Sequence, residues 1–218
     1  MTGLTGLRFL ERPPSGPARG LLVLHHGRGA DERDLLPLGD ALDPERVWHV
    51  VTPAAPLTLP GWPGRHWYHV PRVGYPDPET FASSVRLLAE LHDLLSERTG
   101  IPPERTVLGG FSMGAVMSYA LGLDPGRSAP AGILALSGFV PTVDGWRPSL
   151  ASRAQTRAFI AHGRRDQTIA VEFARQAREL LEGGGLGVEY HETDAGHHVD
   201  PAYLPAAIAW LEGILAAR

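Results

Sequence analysis

The chain has 218 residues, a net charge of -4 and 43% hydrophobic content, which suits one globular domain with a sizeable core over residues 1–218. It has no cysteine, and all 20 Lys+Arg residues are arginine. Disulfides, thiol catalysis, Schiff-base lysine chemistry, a Ser-Lys dyad and a Walker-type phosphate lysine are therefore excluded. The acidic balance leaves no footprint for nucleic acid, and no run reaches the roughly 20 apolar residues of a membrane span. Residues 1–8 lack a basic segment followed by an apolar one, so no signal peptide is read and cytoplasmic residence is expected.

Apolar runs of strand length alternate with longer amphipathic stretches, the pattern of βαβ units around a mostly parallel sheet. Residues 20–25 predict a buried strand, 35–42 a helix and 47–51 the next strand. A Pro/Gly/Trp-rich connection then runs over 53–78, longer than a passive loop, and is expected to shape a binding site. Asp77 reads as a helix cap with Pro78 behind it, and Phe81, Val85, Leu88, Leu91 and Leu95 form an apolar stripe at helical spacing. Residues 106–109 predict a strand and 115–121 a buried helix, with further strands at 132–136, 157–161 and 188–191. A helix over 171–181 is stopped by Gly183-Gly184-Gly185, and a last helix covers 204–217.

Between the strand at 106–109 and the helix at 115–121 stands Gly110-Phe111-Ser112-Met113-Gly114. A serine on a sharp strand-to-helix turn is lifted clear of the sheet, with the next backbone nitrogen at a helix N-terminus, provided both flanking residues are nearly atom-free. Glycine is abundant here, 26 of 218 residues, so the motif needs a base, an acid and an oxyanion donor to carry chemistry. A hydroxyl is a weak nucleophile and requires an imidazole held in one tautomer by a carboxylate. After Ser112 the loop histidines His197 and His198 are the candidates for base, with His197 preferred because it follows Gly196 directly. Asp166, in the turn His162-Gly163-Arg164-Arg165-Asp166 at a strand's carboxyl end, is the candidate acid; Asp194 and Asp200 compete but read as loop and cap residues. His25-His26-Gly27-Arg28-Gly29 ends an early strand, so the backbone N–H groups of Arg28 and Met113 are the candidate oxyanion donors. Adjacent strand histidines face opposite ways, so a metal site at His25 and His26 is not expected.

Taken together, these segments resemble the phospholipase/carboxylesterase family of α/β-hydrolases, which includes acyl-protein thioesterases and small bacterial carboxylesterases. The matching pieces are residues 24–31 with Asp34-Leu35, 110–115, Leu136-Ser137-Gly138, 162–166 and Gly196-His197, in the family's order over nearly the whole chain. The resemblance implies an α/β-hydrolase fold without a large lid, Ser112 as nucleophile, Asp166 as acid and His197 as base. It also implies hydrolysis of carboxylic esters or thioesters without a cofactor or metal. Thioesterase members usually carry glutamine after the serine, where this chain has Met113, and the family's tryptophan loop is only loosely echoed by residues 64–68.

Trp62, Trp67, Tyr68, Met113, Phe139 and Val140 are the residues expected to touch substrate, which is read as a small ester with a short or medium acyl group. Homodimerisation is left open. A thioesterase or lysophospholipase, a peptidase, or a non-catalytic ligand-binding relative of the same fold is the alternative reading.

Overall fold

The computed structural model describes residues 6–216. Most of residues 1–8 and Ala217, read above as leaderless start and helix end, lie outside that range. Seven strands form one sheet: β1 (Phe9–Arg12), β2 (Gly20–His25), β3 (Trp48–Pro53), β4 (Thr106–Phe111), β5 (Gly132–Leu136), β6 (Arg157–Gly163) and β7 (Gly187–Thr193). Their spatial order is β1-β3-β2-β4-β5-β6-β7, with only the β1–β3 pair antiparallel.

The central strands carry near-continuous apolar runs because both of their faces are covered. In β2, Leu21 and Val23 enter one core while Leu22 and Leu24 enter the other; Ile133 and Ala135 of β5 divide from Leu134 and Leu136 in the same way. Helices α2 (Pro78–Thr99), α3 (Met113–Gly122) and α4 (Glu172–Gly183) cover the first face, and α1 (Leu36–Leu42) with α5 (Leu204–Ala216) covers the second. Asp77 caps α2 by accepting from Thr80 N–H at 2.9 Å, and Gly100 closes it in a left-handed conformation, φ 69°. Helix α3 is buried at every residue, which its apolar circumference requires.

Two differences from the sequence reading have physical causes. Strand β1 was not anticipated: it is four residues long and carries Glu11 and Arg12, so no apolar alternation marks it. It is held instead by the antiparallel ladder to β3 and by a buried ion pair, Arg12 Nη2 to Asp43 Oδ2 at 2.7 Å. Strands β4, β6 and β7 each run two residues beyond their apolar cores, which brings Phe111, Gly163 and Thr193 to the carboxyl edge where the loops gather.

Those extensions set the sharp turn between β4 and α3. Ser112 has φ 55° and ψ -120°, a region that side chains other than glycine seldom occupy. The turn closes only because a Cβ is absent on either side. A Cβ on Gly110 would lie 2.5 Å from the Gly114 carbonyl carbon, and one on Gly114 would lie 1.9 Å from the His25 carbonyl oxygen. Gly114→Ala should therefore lower the thermal midpoint strongly, by the equivalent of about 3 kcal/mol or more. Gly183→Ala, where a Cβ meets nothing within 4 Å, should change it little. Comparable midpoints for the two variants in thermal denaturation would contradict this packing argument.

Candidate active site

Ser112 sits at the carboxyl end of β4, its N–H donating to the Leu136 carbonyl at 2.8 Å. His197 reaches it from the loop after β7: Nε2 lies 2.8 Å from Ser112 Oγ and Nδ1 lies 2.6 Å from Asp166 Oδ2. A carboxylate oxygen only accepts, so Nδ1 carries the proton and Nε2 is free to accept from the serine hydroxyl. The carboxylate is buried and immobilised. Its Oδ1 accepts from the N–H groups of Thr168 and Ile169 at 2.8 and 2.9 Å, and its Oδ2 lies 3.3 Å from His162 Nε2. The Phe111 ring packs tilted against His197 with centroids 4.9 Å apart.

The competing residues lie elsewhere. His198 is exposed, makes no side-chain hydrogen bond to this cluster, and donates its backbone N–H to Gly196 O. Asp194 is exposed and ion-paired with Arg164 at 2.9 Å, and Asp200 caps the short turn Pro201–Tyr203 by accepting from Ala202 N–H.

A cavity of about 420 Å³ opens over Ser112, a volume suited to a small organic ligand. Tyr68, Val70, Val73, Met113, Phe139 and Ile169 give it an apolar wall, while Arg28 and Asp34 put charge at its mouth. The Met113 N–H begins α3, where a helix leaves its amides without internal partners. The Arg28 side chain stacks on Trp62, guanidinium carbon 4.1 Å from the ring centroid.

Three of the residues expected to touch substrate, Trp62, Trp67 and Val140, do not line this cavity. Trp67 is fully buried beneath it; its Nε1–H donates to the His26 carbonyl at 2.9 Å and its backbone N–H to Met113 Sδ at 3.2 Å. A tryptophan with both donors satisfied inside the protein braces the loop instead. Val140 borders a separate hollow with Pro141, Trp146 and Phe173, because Phe139 forms the wall between the two spaces. Trp62 is more than half exposed and meets the site only through Arg28. Val70, Val73 and Ile169 were missed. The first two lie in the aperiodic 53–78 connection; Ile169 could have been inferred from its place three residues after Asp166.

Four histidines are buried in surroundings that favour the neutral ring. Burial lowers the pKa of His25, His26 and His162 below the ordinary imidazole value; the Gly27 and Ile169 carbonyls oppose the effect at His26 and His162. Burial, aided by Arg127, pushes His92 down to about 3.

Residues 11–214 match the model of the phospholipase/carboxylesterase family, and the chain belongs to that family. Its relatives include acyl-protein thioesterase 1 of Debaryomyces hansenii, 29% identical over 91% of this chain and 93% of that one. Esterase YpfH of Escherichia coli is 28% identical, with 88% and 82% covered. Among solved structures, esterase PE8 superposes with a TM-score of 0.81 at 28% identity, covering 95% of this chain and 99% of that chain. The fold is the α/β-hydrolase fold, and the described residues contain no large lid. No described helix is long and apolar enough to cross a membrane.

Unfolded imidazoles take up a proton near pH 6.5, while these four folded ones resist it to lower pH. Their contribution to stability is complete above about pH 6.5 and shrinks as pH falls toward the folded values, by up to about 1.4 kcal/mol per pH unit for each histidine. The melting temperature should fall between pH 7 and pH 5, and His92→Gln should narrow that difference. Equal midpoints at the two pH values would contradict the neutral, buried assignment.

Proposed function

We propose that this chain, as one α/β-hydrolase domain over residues 1–218, is a carboxylesterase that cleaves short- to medium-chain carboxylic esters through Ser112, His197 and Asp166. The observation that carries the reading is His197 bridging the strained serine and the buried carboxylate at 2.8 and 2.6 Å. Ser112 Oγ attacks the ester carbonyl as His197 Nε2 takes its proton. The backbone N–H groups of Arg28 and Met113 receive the developing oxyanion. His197 then returns the proton to the leaving alcohol, and water repeats the sequence in reverse to release the acid from the acyl-enzyme. Tyr68 and Phe139, with Val70, Val73 and Ile169, form the acyl side of the cavity; its volume of about 420 Å³ favours a short or medium chain. A cytoplasmic enzyme acting on a small ester is part of this reading, and the acidic overall charge is compatible with it.

A thioester is the second reading. It is favoured by relatives named acyl-protein thioesterase, which cover most of this chain. The same attack serves both acyl donors, so the two readings differ in the leaving group alone.

With a chromogenic short-chain ester, Ser112→Ala and His197→Ala should each lower kcat by about 10⁴-fold or more while the fold is kept, and His198→Ala should stay within a few-fold of the parent. Arg28→Ala should also cost little, because only its backbone N–H is assigned to the reaction. Retained turnover in Ser112→Ala would overturn the mechanism, and an inactive His198→Ala beside an active His197→Ala would move the base.

A further inference from the structure

We propose that His26 is a positioning residue for the oxyanion site: its Nδ1–H holds the Gly27 carbonyl oxygen and thereby aims the Arg28 N–H on the opposite edge of the same peptide. The inference rests on the reading of Arg28 as an oxyanion donor. His26 lies just past β2, is 1% exposed and does not line the cavity, so it acts on the reaction only through the backbone.

The geometry is set by hydrogen bonds at both ring nitrogens. Nδ1 is 2.7 Å from the Gly27 carbonyl oxygen, and the Ala55 N–H donates to Nε2 at 3.0 Å. A carbonyl can only accept and an amide N–H can only donate, so the proton is on Nδ1 and Nε2 is bare. No other assignment satisfies both partners, and burial favours the same neutral ring. The Gly27–Arg28 peptide is planar, with its C=O and N–H on opposite edges. Fixing the oxygen therefore fixes the direction of the N–H. Polarising the same carbonyl also makes that N–H a better donor.

The surroundings keep the ring and the next peptide from moving. The Trp67 ring lies against the His26 ring at 5.2 Å, tilted by 35°, and its Nε1–H holds the His26 carbonyl. On the far side of Arg28, Gly29 N–H donates to Arg65 O at 2.9 Å and Arg65 N–H to Ala30 O at 2.8 Å. Both peptides flanking Arg28 Cα are thus anchored, and between them the Arg28 N–H makes no backbone bond of this kind. An oxyanion donor gains most when it needs no reorganisation at the moment of reaction.

Two substitutions separate the donor from the acceptor. In His26→Asn the side-chain amide stands where Nδ1 stood, so the bond to Gly27 is kept and the partner of Ala55 is lost. In His26→Gln the amide stands at the Nε2 level, so the Ala55 partner is kept and the Gly27 bond is lost. With a chromogenic short-chain ester, His26→Gln should lose about 10–100-fold in kcat with KM within about two-fold, while His26→Asn stays within about three-fold in kcat. A boronic acid that forms a tetrahedral adduct on serine should lose affinity in His26→Gln in parallel with kcat, and keep it in His26→Asn. Equal kcat in the two variants, or a loss seen only in melting temperature, overturns the proposal. If His26→Gln does not fold, His26→Asn carries the test alone: folded and active supports the proposal, folded and inactive overturns it. Ser112→Ala, assayed beside them, distinguishes the failures. If it is as active as the parent, the oxyanion reading and this proposal both fall; if it is inactive while His26→Gln is unimpaired, only this proposal falls.

Discussion

Ser112 holds a backbone conformation that costs on the order of 1–3 kcal/mol, and much of the molecule is arranged to keep it there. The turn is braced by Leu136, which accepts the serine N–H, and by the direct packing of Gly110 on Gly114 and of Gly114 on the His25 carbonyl. Helix α3, buried at every residue, anchors the far side, and the parallel pairing of β4 with β2 and β5 anchors the near side. A strained turn persists only when its surroundings over-determine it. Here the consequence of the strain is a hydroxyl raised above the sheet edge, within reach of an imidazole carried on a different loop.

The same sheet edge brings the remaining groups into register. Strand β6 runs through His162 and Gly163 before the chain turns, so Asp166 lands under the loop that carries His197. Its carboxylate is held by two backbone N–H groups, with the neutral His162 ring beside it. On the other side of the serine, the 53–78 connection straps down the loop that follows β2 through the Ala30–Arg65 bridge, and Trp67 packs beneath it. Tyr68, Val70 and Val73 of that same connection then form part of the cavity wall. One long loop thus serves as brace and as lining.

Much of this was legible in the residues. The alternation of apolar strand runs with amphipathic helices placed six of the seven strands and all five α-helices among the described residues, because strands covered on both faces carry near-continuous apolar runs. Strand β1 escaped since an edge strand held by its ladder and a buried Arg12–Asp43 pair needs no apolar run. The G-x-S-x-G turn announced itself through its two glycines, whose necessity is steric and local. Which aromatics face the cavity was not legible. Trp67 and Tyr68 are neighbours in the chain, yet one is buried with its donors satisfied inside and the other lines the cavity. That division depends on how an aperiodic loop folds back over β2, which no spacing rule encodes. The role read for His26 was invisible for the same reason, since it depends on Ala55 arriving 29 residues later to occupy one ring nitrogen.

The central claim is that the arrangement around Ser112 activates its hydroxyl. The most direct measurement is reaction of the native protein with a fluorophosphonate probe, followed by mass-spectrometric mapping of the adduct. An activated Ser112 gives one stoichiometric adduct on that residue, lost when the protein is unfolded before labelling. No adduct, an adduct on another residue, or labelling at the same rate in the unfolded chain would contradict it.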